Sequence, residues 1–382
     1  MESARKIKVL IVDDSAIVRK VLTSILDPEP DIDVVGTAPD PFIARDKILS
    51  LRPDVLTLDI EMPRMDGLTF LEKVMRHRPL PVIMISSLAQ SSTHAALEAM
   101  SRGAVDVLAK PGGPYSVGDL KGDLPRRVRA AAAARLRSAA GGSQAPPAPG
   151  TGRTVDNAQT EHPSKVPSLG PTTGSGAGSG HQPQSIAGAL KQSMLIAIGA
   201  STGGTVAIER VLTALPAQMP AMVITQHIPA GFSAAFAQRL NKVCAIDVKE
   251  ASEGDETRPG LALIAPGNRH MRVRQGQSGG WRIQLDDGPK VCYQRPSVDV
   301  LFESAALEAG SRAAGIILTG MGSDGAIGLL SMRRAGARTL AQDESSCVVF
   351  GMPREAIEKG AAEKVLPIDR ISAALLDICR QN

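Results

Sequence analysis

Ser201 sits in Gly199-Ala200-Ser201-Thr202-Gly203-Gly204, after the apolar run Met194 to Ile198 and before a helical pattern that begins near Thr205. A serine at such a strand-to-helix turn, among glycines that permit tight backbone geometry, presents its hydroxyl at the carboxyl edge of a sheet. That is a nucleophile's position. The hydroxyl needs a base to take its proton and a carboxylate to orient that base. His227 follows the next apolar run, Met222–Thr225, so adjacent parallel strands would bring it beside Ser201. His270, closing Ala265-Pro266-Gly267-Asn268-Arg269-His270, is a competitor that position makes second choice. Asp324, in Thr319-Gly320-Met321-Gly322-Ser323-Asp324-Gly325, is better placed as the third member than Asp255, Asp286, Asp287 or Asp299. The glycines around it expose backbone N–H groups, and that of Met321 is a candidate oxyanion donor. Two blander readings compete: a serine in a glycine-rich turn often caps a helix, and such a loop can cradle a phosphate. The loop lacks the lysine of a Walker motif and the spacing of a dinucleotide fingerprint.

A second constellation lies far upstream. Asp13 and Asp14 follow the run Ile7–Val12, Asp59 follows Val55–Leu58, Ser86 ends Val82–Ile85, and Lys110 follows Val105–Leu108. Ligand groups in open α/β sheets gather at these carboxyl ends. Three crowded carboxylates call for a hard cation, and Mg²⁺ with its retained waters suits them. An aspartate can also attack phosphorus to form an acyl phosphate. Lys110 would then pair with the new dianion, and the Ser86 hydroxyl would hydrogen-bond to it.

Positioning these groups requires two α/β modules. From Lys6 to about Arg137 five short apolar runs (Val34–Ala38 is the remaining one) alternate with helical segments near Ala16, Pro41, Leu68, Ser92 and Asp123, the last closing over Arg126–Arg137. Such alternation implies a parallel sheet with helices on both faces. The stretch 138–190, rich in Gly, Ser, Pro, Thr and Ala, cannot bury enough surface to offset ordering entropy and is expected to be a flexible linker. His162 and His181 lie within it. From 191 to 382 strands are expected at Leu195–Ile198, Met222–Thr225, Leu261–Ile264, Arg272–Arg274, Trp281–Leu285, Gly315–Thr319 and Thr339–Ala341, with helices after Thr205, Phe232, Pro296, Asp324 and Pro353. Between Leu261 and Leu285 there is no room for helices, so a hairpin inserted in an otherwise parallel sheet is the simplest account.

Composition narrows the function. Lys+Arg number 43 against 39 Asp+Glu, a net charge of +4, and aromatics make up 2%. With no dense basic run and few stacking surfaces, nucleic acid is a poor partner. Cys244, Cys292, Cys347 and Cys379 are too widely spaced for a paired metal motif and read as free thiols of a reducing compartment. No run approaches the ~18 apolar residues of a spanning helix, so neither membrane insertion nor secretion is expected and the cytoplasm is the expected location.

Two resemblances sharpen this reading. Val12-Asp13-Asp14-Ser15, Leu58-Asp59-Ile60-Glu61-Met62-Pro63, Ser86 and Lys110-Pro111 resemble the receiver domain of two-component response regulators, over about residues 6–130. The resemblance implies a five-stranded flavodoxin-like fold, Asp59 as phosphoacceptor, Asp13, Asp14 and Asp59 as Mg²⁺ ligands, and a histidine kinase as phosphodonor. Many receivers carry an aromatic residue three positions before the lysine; this chain has Val107, so domain contact rather than ring rotation is the expected output. Residues 194–380 are similar to the CheB family of chemotaxis protein-glutamate methylesterases, in Ile198–Gly204, in Gln226-His227-Ile228-Pro229-Ala230-Gly231-Phe232 and in Leu318–Ala326.

That resemblance implies a Rossmann-like α/β methylesterase domain, not the α/β-hydrolase fold, with Ser201 as nucleophile, His227 as general base, Asp324 as its orienting partner, and Thr202 and His270 in support, without a cofactor. It further implies glutamate methyl esters on cytoplasmic helices of methyl-accepting chemoreceptors as substrate, deamidation of glutamine by the same chemistry, and a CheA-type kinase as donor. The expected control is a receiver that shields the Ser201 cleft until Asp59 is phosphorylated. A purely binding regulator and a transcription factor are the rival classes. The intact triad set disfavours the first. The absence of a short basic helix-turn-helix after the linker disfavours the second.

Overall fold

The computed structural model describes residues 5–87, 89–110, 117–136, 190–276 and 279–380. Nearly all of the expected linker, both of its histidines, and Pro111 lie outside the described residues. The N-terminal module runs β1 (Ile7–Val12), α1 (Ala16–Leu26), β2 (Ile32–Ala38), α2 (Pro41–Leu51), β3 (Val55–Asp59), α3 (Gly67–His77), β4 (Val82–Ser86), α4 (Gln90–Ser101), β5 (Asp106–Ala109) and α5 (Val117–Ala132). Its parallel sheet has the order β2-β1-β3-β4-β5. β3, β4 and β5 are buried along their whole length, as strands of a parallel sheet between two helical layers should be. Asp59 and Ser86 are therefore the last residues of their strands, and Asp13 follows β1 directly. The closing helix starts and stops earlier than expected, because Leu120, Leu124 and Val128 supply its buried stripe.

The C-terminal module adds β6 (Leu195–Ala200), α6 (Gly204–Thr213), β7 (Ala221–Gln226), α7 (Phe232–Val243), β8 (Asp247–Glu250), β9 (Leu261–Ile264), β10 (His270–Gln275), β11 (Trp281–Asp286), α8 (Val298–Ala309), β12 (Ala313–Ile317), α9 (Ala326–Arg334), β13 (Arg338–Gln342), α10 (Met352–Glu358), β14 (Lys364–Leu366) and α11 (Ile368–Arg380). Seven strands form an all-parallel sheet in the order β14-β13-β12-β6-β7-β9-β8. Two of them, β8 and β14, escape the sequence reading because they are edge strands. Asp-Val-Lys-Glu and Lys-Val-Leu leave alternate or most residues exposed and show no apolar run. α11 was also passed over, although Ile368, Ile371, Leu375 and Ile378 mark a helical stripe. The hairpin is present, but β10 and β11 form a two-stranded antiparallel sheet of their own instead of joining the larger one. Their buried residues Met271, Val273, Trp281 and Ile283 cover Leu301 and Phe302 of α8.

The described parts of both modules pack as one compact unit. A continuous buried cluster includes Leu97 and Met100 of α4 together with Phe232, Ala235 and Phe236 of α7.

Candidate active site

The strand order β12-β6-β7 fixes the site. Ser201 directly follows β6, His227 directly follows β7 and Thr319 lies two residues past β12, so three neighbouring parallel strands deliver these residues to one edge. Backbone bonds weld these exits together: Ser201 N–H donates to Thr319 O (3.0 Å) and His227 N–H to Ala200 O (3.0 Å). The chain turns sharply into α6 at Gly203, whose φ of 77° favours glycine. Gly320 is required for a different reason. A Cβ there would stand 2.7 Å from the Cβ of Ser201.

The structure brings His227 and Asp324 together. Nε2 of His227 lies 2.7 Å from Oδ2 of Asp324, and both side chains are buried. This bond leaves Nδ1 as the free ring nitrogen, and Nδ1 is buried without a partner. No hydrogen bond yet joins it to the hydroxyl of Ser201, a bond that often tightens only when substrate is bound.

Asp324 is held by the N-terminus of α8. Its Oδ1 accepts from Ser297 Oγ (2.7 Å) and Asp299 N–H (3.0 Å), and its Oδ2 accepts from Val298 N–H (2.8 Å) as well as from His227. Burial works against ionisation, but the His227 hydrogen bond and charge, with the donors of α8, hold the carboxyl below its ordinary value. The sequence reading missed this cradle. Its one signal was Ser297 at the start of a helical pattern after Pro296, since a helix N-terminus attracts an anion.

His270 is not a free base. Its Nε2 donates to Pro289 O (2.9 Å), and its Nδ1 accepts from Ser297 N–H (3.2 Å). Both nitrogens are committed, and the ring steadies the residue that grips Asp324. Gln226, given no role from sequence, donates to the carbonyls of Ser201 (2.8 Å) and His227 (3.1 Å) and so ties the two strand exits.

A cavity of about 280 Å³ opens beside Ser201, lined by Thr202, Cys292, Tyr293, Met321 and Asp324 and, from the receiver-like module, by Arg126, Arg127 and Ala130 of α5. Thr202 Oγ1 donates to Asp106 Oδ2 of β5 (2.9 Å), and Arg127 pairs with the other oxygen of Asp106 (2.5 Å). Asp106, adjacent to Val107, carried no role in the sequence reading. Cys292, Asp299 and Asp324 offer ligand atoms within 4.8 Å of one another. With His227 and the α8 donors already on both oxygens of Asp324, that cluster is a poor metal site.

In the N-terminal module Asp13, Asp14 and Asp59 also offer ligand oxygens within 4.8 Å of one another. Lys110 Nζ stands 2.6 Å from Asp59 Oδ2 and 3.4 Å from Asp13 Oδ2. Burial raises both buried carboxyls, Asp59 to about 6, against the pull of Lys110. Asp13 Oδ2 is buried with no hydrogen-bond partner. Crowded, under-neutralised oxygens of this kind suit a hard cation, so the residues present fit Mg²⁺. Ser86 ends β4 as expected, but its hydroxyl donates to the carbonyls of Ser87 (3.0 Å) and Ser92 (3.1 Å).

A receiver-like module joined to a parallel α/β module with a serine at its strand edge defines the class. Residues 9–117 match the response regulator receiver domain, and residues 196–375 match the family described as CheB methylesterase. The protein-glutamate methylesterase/protein-glutamine glutaminase 2 of Syntrophus aciditrophicus is 51% identical over 367 residues, covering 96% of this chain and 97% of the relative. The enzyme of that name from Chromohalobacter salexigens is 50% identical over 376 residues, with 98% and 96% covered. The solved CheB methylesterase catalytic domain of Thermotoga maritima is 38% identical and covers 48% of this chain and 98% of its own, with a TM-score of 0.47. The chain belongs to the CheB family of receiver-coupled methylesterases. No helix among the described residues is long and apolar enough to cross a membrane.

Proposed function

We propose that this chain is a cytoplasmic, phosphorylation-regulated hydrolase that removes methyl groups from glutamate methyl esters, and ammonia from glutamines, on the cytoplasmic helices of chemoreceptors. The observation that carries the reading is the buried His227–Asp324 pair, with Nδ1 of His227 left free at the strand edge that also bears Ser201. Ser201 Oγ attacks the γ-carbonyl as His227 takes its proton. Asp324 stabilises the imidazolium, and the Met321 N–H receives the oxyanion. Methanol departs with the proton from His227. Water then enters by the same route and frees the glutamate from the glutamyl-serine ester. With a glutamine side chain only the leaving group changes. His270 acts in support through Ser297, whereas Thr202, beside Ser201, is the residue that the receiver holds through Asp106.

The receiver would be phosphorylated at Asp59 by a CheA-type histidine kinase, with Mg²⁺ on Asp13, Asp14 and Asp59. The metal would supply charge neutralisation for the incoming phosphoryl group. Lys110 is already placed to pair with that group, and Ser86 would have to turn from its present acceptors to reach it. At rest α5 covers the mouth of the Ser201 cavity, and the Arg127–Asp106–Thr202 chain fastens it. Such a latch can be weak, because a tether keeps the partner module at high local concentration. Ser201→Ala should abolish methanol release from methylated receptor fragments; substantial remaining turnover would remove Ser201 from the nucleophile's role.

A further inference from the structure

The segment Val291–Gln294 is a two-residue hairpin turn made from the wrong residues. Val291 and Gln294 exchange backbone hydrogen bonds, 3.0 Å and 2.8 Å, and the two residues between them both have positive φ, 49° at Cys292 and 64° at Tyr293. A turn with positive φ at both central positions strongly prefers Asn-Gly. Left-handed backbone at bulky non-glycine residues is costly and persists where the surroundings impose it, above all at functional sites. Arg295, directly after the turn, donates to Asn268 Oδ1 and to the carbonyls of Asp287 and Gly288 and so ties the turn's exit to the neighbouring loop. A turn in disfavoured conformation points to side chains chosen for something other than the backbone.

The tyrosine is the informative one. The chain has two tyrosines and one tryptophan. Tyr293 is 75% exposed, yet it lines the cavity beside Ser201. Its one described ring contact crosses to the receiver module, where the Arg126 guanidinium lies 5.3 Å from the ring centroid. A cavity of about 280 Å³ accepts a glutamyl ester side chain but not the ~10–12 Å cylinder of the helix that bears it. The helix body must therefore rest on the rim, where Tyr293 stands. An exposed tyrosine offers a large amphipathic face at low ordering cost, as interface anchors do.

Building on the esterase reading, we infer that Tyr293 is the docking residue for the substrate helix, packing against side chains one turn from the reactive glutamate, and that Arg126 occupies its ring at rest. The receiver thus meets the site in two places: α5 lines the cavity, and Arg126 lies against one part of a ring that is otherwise largely exposed. Opening the receiver exposes both together.

The test is a binding measurement, kept separate from turnover by using the full chain with Ser201→Ala in every arm, plus Mg²⁺ and beryllofluoride as phosphoryl mimic. The probe is a methylated receptor cytoplasmic fragment, followed by fluorescence anisotropy. Tyr293→Gly supplies the residue the turn prefers while deleting the ring, so it should keep or raise the melting temperature and weaken Kd about tenfold. Tyr293→Phe should bind within about twofold of the parent. Unchanged affinity in Tyr293→Gly, or no binding by the parent, would overturn the proposal. Failure of the esterase reading would show elsewhere, as continued methanol release by the Ser201→Ala chain.

Discussion

The two strand-end sites of this molecule use the same raw material and finish it differently. Each places a buried carboxylate at the carboxyl edge of a parallel sheet beside a cationic or basic side chain. Asp324 is fully satisfied: four donors, two from the first turn of α8 and one from its cap residue Ser297, hold it ionised below its ordinary value. Asp59 has Lys110 and one backbone N–H, with Asp13 close by, and burial leaves it at about 6. At the first site the carboxylate is fully hydrogen-bonded before substrate arrives, as electrostatic preorganisation requires. The second is short of positive charge and is completed only by what binds to it. On the proposed reading the difference is functional: Asp324 has to be fixed to orient His227, whereas Asp59 has to respond to an incoming group.

The contrast can be broken most severely at Asp324. Asp324→Asn replaces an all-acceptor group with a half-donor amide facing four donors, so kcat should fall about 10³–10⁴-fold. A loss under tenfold would show that the α8 cradle is structural only. On the other side, Asp59→Asn should leave the resting rate alone and abolish its stimulation by acetyl phosphate with Mg²⁺. Asp106→Ala should do the converse. Removing the acceptor shared by Thr202 and Arg127 loosens the resting arrangement and raises the unstimulated rate about tenfold, since a hydrogen bond to a charged group contributes roughly 1.5–3 kcal/mol. An unstimulated rate equal to the parent's would detach the latch from regulation.

The smallest effect concerns Asp299, which sits beside Asp324 and is raised to about 6 by burial first and by the Asp324 charge among other causes. Between its ordinary value of 3.8 and about 6, the folded state keeps a proton that the unfolded state has released. Its contribution to stability therefore falls as pH rises through that window. Asp299→Asn cannot titrate and still accepts from Gly328 N–H. Its melting temperature relative to the parent should be higher at pH 7 than at pH 4, and a gap that shrinks with pH would contradict the assignment.

What the sequence revealed followed from side-chain type and strand endings. Asp13, Asp59, Ser201 and His227 each sit just after or at the end of a continuous apolar run, so their convergence could be read before any coordinates. Asp324 is five residues past the expected strand end at Gly315–Thr319, which the structure closes at Ile317, and it was legible only through its glycine-rich setting. The partners that finish the site were not legible. Val298 and Asp299 act through backbone N–H groups, which every residue possesses. Thr202 and Asp106 meet across 96 positions of chain, a distance over which neither carries a local sign. Edge strands β8 and β14 were missed because half-exposed strands lack the apolar signature of central ones.

The apolar seam between α4 and α7 bears on temperature. Leu97 and Met100 share one buried cluster with Phe232 and Phe236, so parting the modules wets hydrocarbon. Attraction of this kind weakens on cooling, whereas the charged Arg127–Asp106 link does not share that dependence. On the proposed gating, cold would hold the two modules together less firmly, and the unstimulated esterase rate would rise relative to the stimulated one.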